Sequence, residues 1–297
     1  MLPLIPSHDT ASTYVKIFRS RLPAGDHGDG HRAGRAQAGA EGLCRGLGSG
    51  GPVTDGLAGT HPKEADLDTP TPAGFGACEN DGADWDRNLA QGVHILSVSL
   101  SDLVSDFARA IRAVDAHVPV ALSSRTGSSY QPGIGPHTEA QTVRLVMTYL
   151  ADTDPGQYSP HRLGVPYGDG TRQACDVCLG RPEAWDWAIE VKMLRLMGHN
   201  GKLNDNMIMH ILSPYPAHRS ALTDCAKLLA SKLGDKKAIL IYGYDYPDWP
   251  MDPAIDAFGV LASRQAKFAD RAEASFDELV HPVHRRGRVF GWQVEPR

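Results

Sequence analysis

The run KKAILIYGYDY, residues 236–246, is almost wholly apolar over the length of a strand. A strand with one polar face can rest that face on water, but this one has none to offer. It belongs inside a sheet covered on both sides. The adjoining segments supply the cover. Before it, PAHRSALTDCAKLLASKLGD (216–235) reads as a helix with Ala221, Leu222, Cys225, Leu228 and Leu229 inward, closed by Gly234. After it, MDPAIDAFGVLASRQAKFADR (251–271) reads as another helix, and RGRVFGWQVE (286–295) as a final strand.

Earlier in the chain, Ser101 or Asp102 can cap a helix whose Leu103, Phe107, Ala110, Ile111 and Val114 share one face. The Gly/Ser/Pro loop SSRTGSSYQPGIGP follows. In HTEAQTVRLVMTYLAD, Thr138 with Gln141 has the form of a capping box, and Val143, Val146, Met147 and Leu150 form the buried stripe. Glu139 lies four residues before Val143 and so belongs to that inward face. Next come three short extended segments, HRLGVPY, TRQACDVCLG and AWDWAIEVKML, separated by the turn formers YGDGT and LGRPE. A β-meander is the simplest reading. The expected fold class is therefore α/β, a central mixed β-sheet of four or five strands flanked by helices.

Residues 1 to about 92 differ in kind, being dense in Gly, Ala, Asp and Pro with almost no Ile, Val or Phe. Such a segment buries too little apolar surface to offset its chain entropy, so it is predicted to be irregular or disordered. The same composition is compatible with a natural start further downstream. The folded domain is expected over 93–297, with no internal repeat or heptad.

Net charge is −5 and the pI is near 6.2, so no global basic field draws the chain to nucleic acid or membrane. An anionic partner has to be met by a local patch. Five cysteines without regular spacing argue against a disulfide scaffold and for a reducing cytoplasm. There is no run of about 18 apolar residues and no signal-peptide core, so the expectation is a cytoplasmic protein without membrane attachment. P-loop, dinucleotide, paired-zinc and Gly-x-Ser-x-Gly patterns are absent from the sequence.

The chemistry concentrates in AWDWAIEVKML. Trp185, Trp187, Ile189 and Val191 alternate with Asp186, Ala188, Glu190 and Lys192, the period-2 pattern of a strand. Glu190 and Lys192 then project from one face, roughly 6 to 7 Å apart along the chain. Asp176 precedes Glu190 by enough residues for a strand end, the turn GRPEA and a return strand, so a hairpin would set the two acids side by side. Paired carboxylates repel unless a cation sits between them. Oxygen ligands of this kind suit Mg²⁺ or Mn²⁺. The plainer alternative is that Glu190 and Lys192 form the solvated face of an edge strand, with Asp176 in a turn.

An acid on one strand, a hairpin, then Glu190-Val191-Lys192 on the next resembles the PD-(D/E)XK, or restriction-endonuclease-like, nuclease superfamily. The resemblance covers residues 136–297 and includes the helix with Glu139 before the hairpin and the helix and buried strand after it. It departs from the pattern in having Cys175, not proline, before Asp176. The resemblance implies that Asp176 and Glu190 are metal ligands completed by the Val191 carbonyl, that Lys192 positions water, and that Glu139 is an auxiliary acid. It further implies Mg²⁺- or Mn²⁺-dependent hydrolysis of nucleic-acid phosphodiesters, DNA rather than RNA, with a two-fold homodimer where both strands are cut. A nucleic-acid-binding or regulatory module without turnover, or a structural interaction protein, are the readings from other classes.

Other features carry weaker signals. Cys175-x-x-Cys178 would place its thiols on opposite faces of a strand, which suits buried small residues better than zinc. Arg219, beside His218 at a helix start, can clamp a phosphate or serve as a surface ion-pair partner. HPVHRRGRVF gathers His281, His284, Arg285, Arg286 and Arg288, the first candidates for a nucleic-acid backbone, with a polar turn as the alternative. MGHNGKLNDN reads as a loop, either a flap beside the site or a plain connection.

Overall fold

Side chains that reach back to the backbone start the two long helices of the N-terminal half of the fold. The computed structural model describes residues 98–297 apart from 169, 171, 205, 206 and 270. The expectation for residues 1–92 lies outside the described residues. Helix α1 spans Leu100–Ala116 and is capped by Ser99, whose hydroxyl accepts from the Asp102 amide. The cap thus falls before the predicted Ser101 or Asp102, and Asp102 sits in the first turn, where its carboxylate faces the helix dipole. Helix α2, Glu139–Thr153, starts with the reciprocal Thr138–Gln141 capping box and buries Val143, Val146, Met147 and Leu150. A single turn, α3 (Pro155–Tyr158), follows.

The predicted meander is present as β1 (His161–Pro166), β2 (Ala174–Arg181) and β3 (Ala184–Leu194), each antiparallel to the next. In the β2–β3 hairpin Glu183 takes a φ of 72°, and the register shifts between Leu179 and Gly180. Gly180 has φ 106°, and a Cβ there would come within 2.8 Å of the Asp186 amide nitrogen, so a side chain does not fit the bulge.

After β3 the chain crosses over through α4 (Met209–Leu212), a 3-10 turn (Pro216–His218) and α5 (Ala221–Ala230). Strand β4, Lys236–Tyr244, then pairs parallel to β3. Helix α6 is Asp252–Ala262, and β5 (Lys267–Phe268), β6 (Ala272–Phe276) and β7 (Gly287–Glu295) complete the chain. The strand order is β1-β2-β3-β4-β7-β5, with β6 also on β7. The class is α/β with a mixed sheet, as expected.

Among the described residues the sheet has seven strands, not four or five. Residues 251–271 were expected to be one helix, but α6 stops at Ala262 and Lys267–Phe268 pair with Val294 and Glu295 instead. Strand β7 is long and apolar, and without β5 and β6 its free side would be a bare sheet edge. Helix α5 likewise ends at Ala230, before the predicted Gly234. Gly234 serves a close approach instead: with φ 68°, a Cβ there would lie 2.6 Å from the Ala188 amide nitrogen.

Strand β3 lies between β2 and β4 and is buried on both faces from Trp187 onward. The edge-strand alternative is therefore overturned. On one face Trp187, Ile189 and Val191 enter the core towards α1, and the Trp187 indole donates to the Val98 carbonyl at 3.1 Å. Each such apolar side chain contributes about 1.5–3 kcal/mol on burial. On the other face Ala188, Glu190 and Lys192 meet α5. Among the described residues no helix is long and apolar enough to cross a membrane.

Candidate active site

The site begins where two strands part. Strand β2 is held by β1 as far as Ala174, and β3 is held by β4 as far as Leu194, but the β2–β3 ladder ends at Val177 opposite Ile189. Beyond that point side chains take over the amides of β3. The Asp176 Oδ2 accepts from the Val191 amide at 2.8 Å, and the Glu139 Oε2, from the first turn of α2, accepts from the Met193 amide at 2.6 Å. Both acids satisfy donors that a ladder would otherwise occupy. Extending the register by one position sets Asp176 opposite Glu190, the juxtaposition expected of the hairpin.

Glu190 and Lys192 are 1% and 6% exposed, a depth at which charges persist only with partners. Lys192 Nζ lies 2.8 Å from Asp224 Oδ2, 3.2 Å from the Val191 carbonyl, 3.5 Å from Glu139 Oε1 and 3.9 Å from Asp176 Oδ2. Burial alone would lower its pKa, but Glu139, Asp224, Asp176 and Glu190 together outweigh it and hold the ammonium charged. Glu190 Oε1 accepts from the Tyr167 hydroxyl and lies 3.5 Å from Lys227 Nζ.

Asp224 and Lys227, both on α5, are the members that the sequence reading missed. Asp224 is fully buried, and its Oδ1 sits 2.5 Å from Lys227 Nζ. One signal was available. Asp224 falls three residues after Ala221 and four before Leu228, on the helix's own apolar stripe, where an acid has no place without a partner.

These groups line a cavity of about 480 Å³. Its walls carry four carboxylates (Glu139, Asp176, Glu190, Asp224) and two ammonium groups (Lys192, Lys227), with Arg172, Arg219, His210 and His218 around them. With all six inner groups ionised, negative charge is in excess by two. The Glu190 carboxyl is pushed up to about 10, first by burial and then by Asp224 and Asp176, against the pull of Lys192 and Lys227. Burial also raises Glu139, opposed by Lys192. The four inner carboxylates thus outnumber the lysines set against them. The donors of the cluster are hard oxygens, the chemistry that Mg²⁺ and Mn²⁺ select. Among the described residues no three acidic, histidine or cysteine side chains already stand in metal-ligand geometry. Here the ammonium of Lys227 stands between Glu190 and Asp224.

The remaining predicted residues divide. Arg219 lines the cavity, exposed, in a left-handed backbone conformation (φ 47°, ψ 48°) that turns the chain from the 3-10 turn into α5. The C-terminal cluster does not reach the cavity. His284 is fully buried, with its Nδ1 2.8 Å from the Tyr246 hydroxyl and its ring stacked on buried His281 at 4.6 Å. The Arg288 guanidinium is held by Asp245 and Asp252 at 2.8–2.9 Å, with Glu273 at 3.2 Å. Both are committed to internal partners, which corrects their expected exposure to a nucleic-acid backbone. Arg285 and Arg286 are exposed. Cys175 and Cys178 are buried free thiols, as expected. Residues 197–204 of the predicted loop after β3 form a turn, with Met197 bridged to Leu203.

Comparison of the chain with family models, with curated proteins and with solved structures finds no match in any of the three.

Proposed function

We propose that this chain is a metal-dependent nuclease of the restriction-endonuclease-like kind, hydrolysing phosphodiester bonds in DNA rather than RNA. The observation that carries the reading is the convergence of Asp176, Glu190 and Lys192 where β2 and β3 part, with Glu139 beside them in an open cavity. Asp176 and Glu190 would hold Mg²⁺ or Mn²⁺, with the Val191 carbonyl at the same place on β3. A bound divalent cation lowers the pKa of its water and neutralises charge on a phosphate. Lys192, gripped by Asp224 and Glu139, presents a fixed ammonium that orients a water for in-line attack and faces the developing negative charge. Arg219, at the cavity wall with no carboxylate against it among the described residues, is placed to meet a phosphate. Cleavage of both strands of a duplex calls for a two-fold homodimer.

The test is a cleavage assay on supercoiled, linear and single-stranded DNA with Mg²⁺ or Mn²⁺, comparing wild type with Lys192→Ala. Cutting that requires metal and disappears in a folded variant is the expected result. DNA binding without cutting by well-folded wild type, under every metal tried, moves the chain to a binding module on the same scaffold.

A further inference from the structure

The two lysines of the site are not equivalent. Lys192 has a side chain only 8% exposed and is enclosed by three carboxylates and the Val191 carbonyl. Lys227 has a side chain 24% exposed and touches two carboxylates, Asp224 and Glu190. Its ammonium also lies 5.7 Å from the centre of the Tyr167 ring. It therefore occupies the gap between Glu190 and fully buried Asp224, the place where a cation sharing those two acids would sit. A long, flexible side chain that is a quarter exposed can leave that gap at the cost of its own ion pairs.

We propose that Lys227 is the internal counter-ion of this site: it neutralises Glu190 and Asp224 while no metal is bound, and swings towards solvent when a divalent cation enters. The inference rests on the reading of the cluster as a divalent-cation site. It makes Lys227 a positioning residue that sets how tightly the metal is held. It also adds Asp224 to the groups that the cation meets once the lysine has gone.

The experiment is calorimetric titration of Mn²⁺ into the full chain, without nucleic acid. Replacing Lys227 by Met or by Gln removes one positive charge a few ångströms from the cation, so both variants should bind Mn²⁺ roughly tenfold tighter than wild type. Lys227→Arg keeps the charge and should gain nothing. In thermal melts, Lys227→Met and Lys227→Gln should be less stable than wild type without metal, yet gain more degrees on adding Mn²⁺. A lysine that merely braced the helix would lower the melting temperature equally with and without the ion. Asp176→Asn separates the two levels of inference. If wild type binds Mn²⁺, Asp176→Asn does not, and the Lys227 variants bind like wild type, the counter-ion role is overturned and the metal site stands. If no protein in the set binds Mn²⁺, the metal reading falls and the counter-ion role with it.

Discussion

The fold buries two polar clusters, and they handle charge in opposite ways. Around the parted ends of β2 and β3, four carboxylates and two lysines gather, tied by ion pairs and open to a cavity. In the second cluster, His281 and His284 stack while His199, Tyr244 and Tyr246 pack around the His284 ring. There the Nε2 atoms of His281 and His284 are buried without a hydrogen-bond partner among the described residues. His284 is pushed down to about 3 by burial, then by His281, Arg195 and His199. The first cluster is short of positive charge and the second expels it. Burial of polar residues is thus no guide to function by itself; what matters is whether the cluster leaves charge unbalanced beside a space that a ligand can enter.

The largest way to break the contrast is to remove a charge from the first cluster. Lys192→Ala leaves Asp224 fully buried with only Lys227 against it, and should cost about 3–5 kcal/mol in urea unfolding. A loss below about 1 kcal/mol would mean that the cluster is solvated in a way its burial does not allow. Steric intrusion tests the second cluster. A Cβ on Gly135 would fall 2.6 Å from Cβ and Cδ2 of His284, so Gly135→Ala should cost about 1–3 kcal/mol and leave Mn²⁺ affinity unchanged.

Acid should sharpen the comparison. In the unfolded chain His284 takes up a proton near 6.5, but in the fold only near 3. Between those values the unfolded state binds more protons, so stability rises with pH. The contribution of His284 is fully present above about 6.5 and drains away as pH falls towards 3. Urea midpoints between pH 7.5 and pH 4.5 should therefore fall less in His284→Leu than in wild type; parallel curves would count against a buried neutral imidazole. The smallest effect on stability belongs to Arg219→Ala. An exposed residue without a carboxylate partner among the described residues should change stability by less than about 0.5 kcal/mol. Its loss should nonetheless weaken DNA binding and flatten the salt dependence by about one phosphate contact.

Asp176, Glu190 and Lys192 were legible in the sequence because strand periodicity and hairpin length are local rules, and both hold here. Asp224 and Lys227 were not, because they reach the site through a crossover that returns α5 over the face of β3, a tertiary event with no local pattern. The same reason hid β5 and β6. Lys267–Phe268 continues a helical pattern, and only the exposed flank of β7 recruits it to a sheet. His284 and Arg288 were misjudged for the converse reason. In HPVHRRGRVF they read as basic surface, whereas Tyr246 claims one and Asp245 with Asp252 the other.

The parting of β2 from β3 has one more consequence. The amides of Val191 and Met193 are held by Asp176 and Glu139, not by a neighbouring strand. Their protection against hydrogen exchange is therefore governed by the state of two carboxylates, while the amides of β4, locked in ladders, report only on opening of the sheet. The backbone of the central strand carries its own gauge of the site: whatever draws Asp176 or Glu139 away from β3 should appear first as deuterium uptake at those two positions.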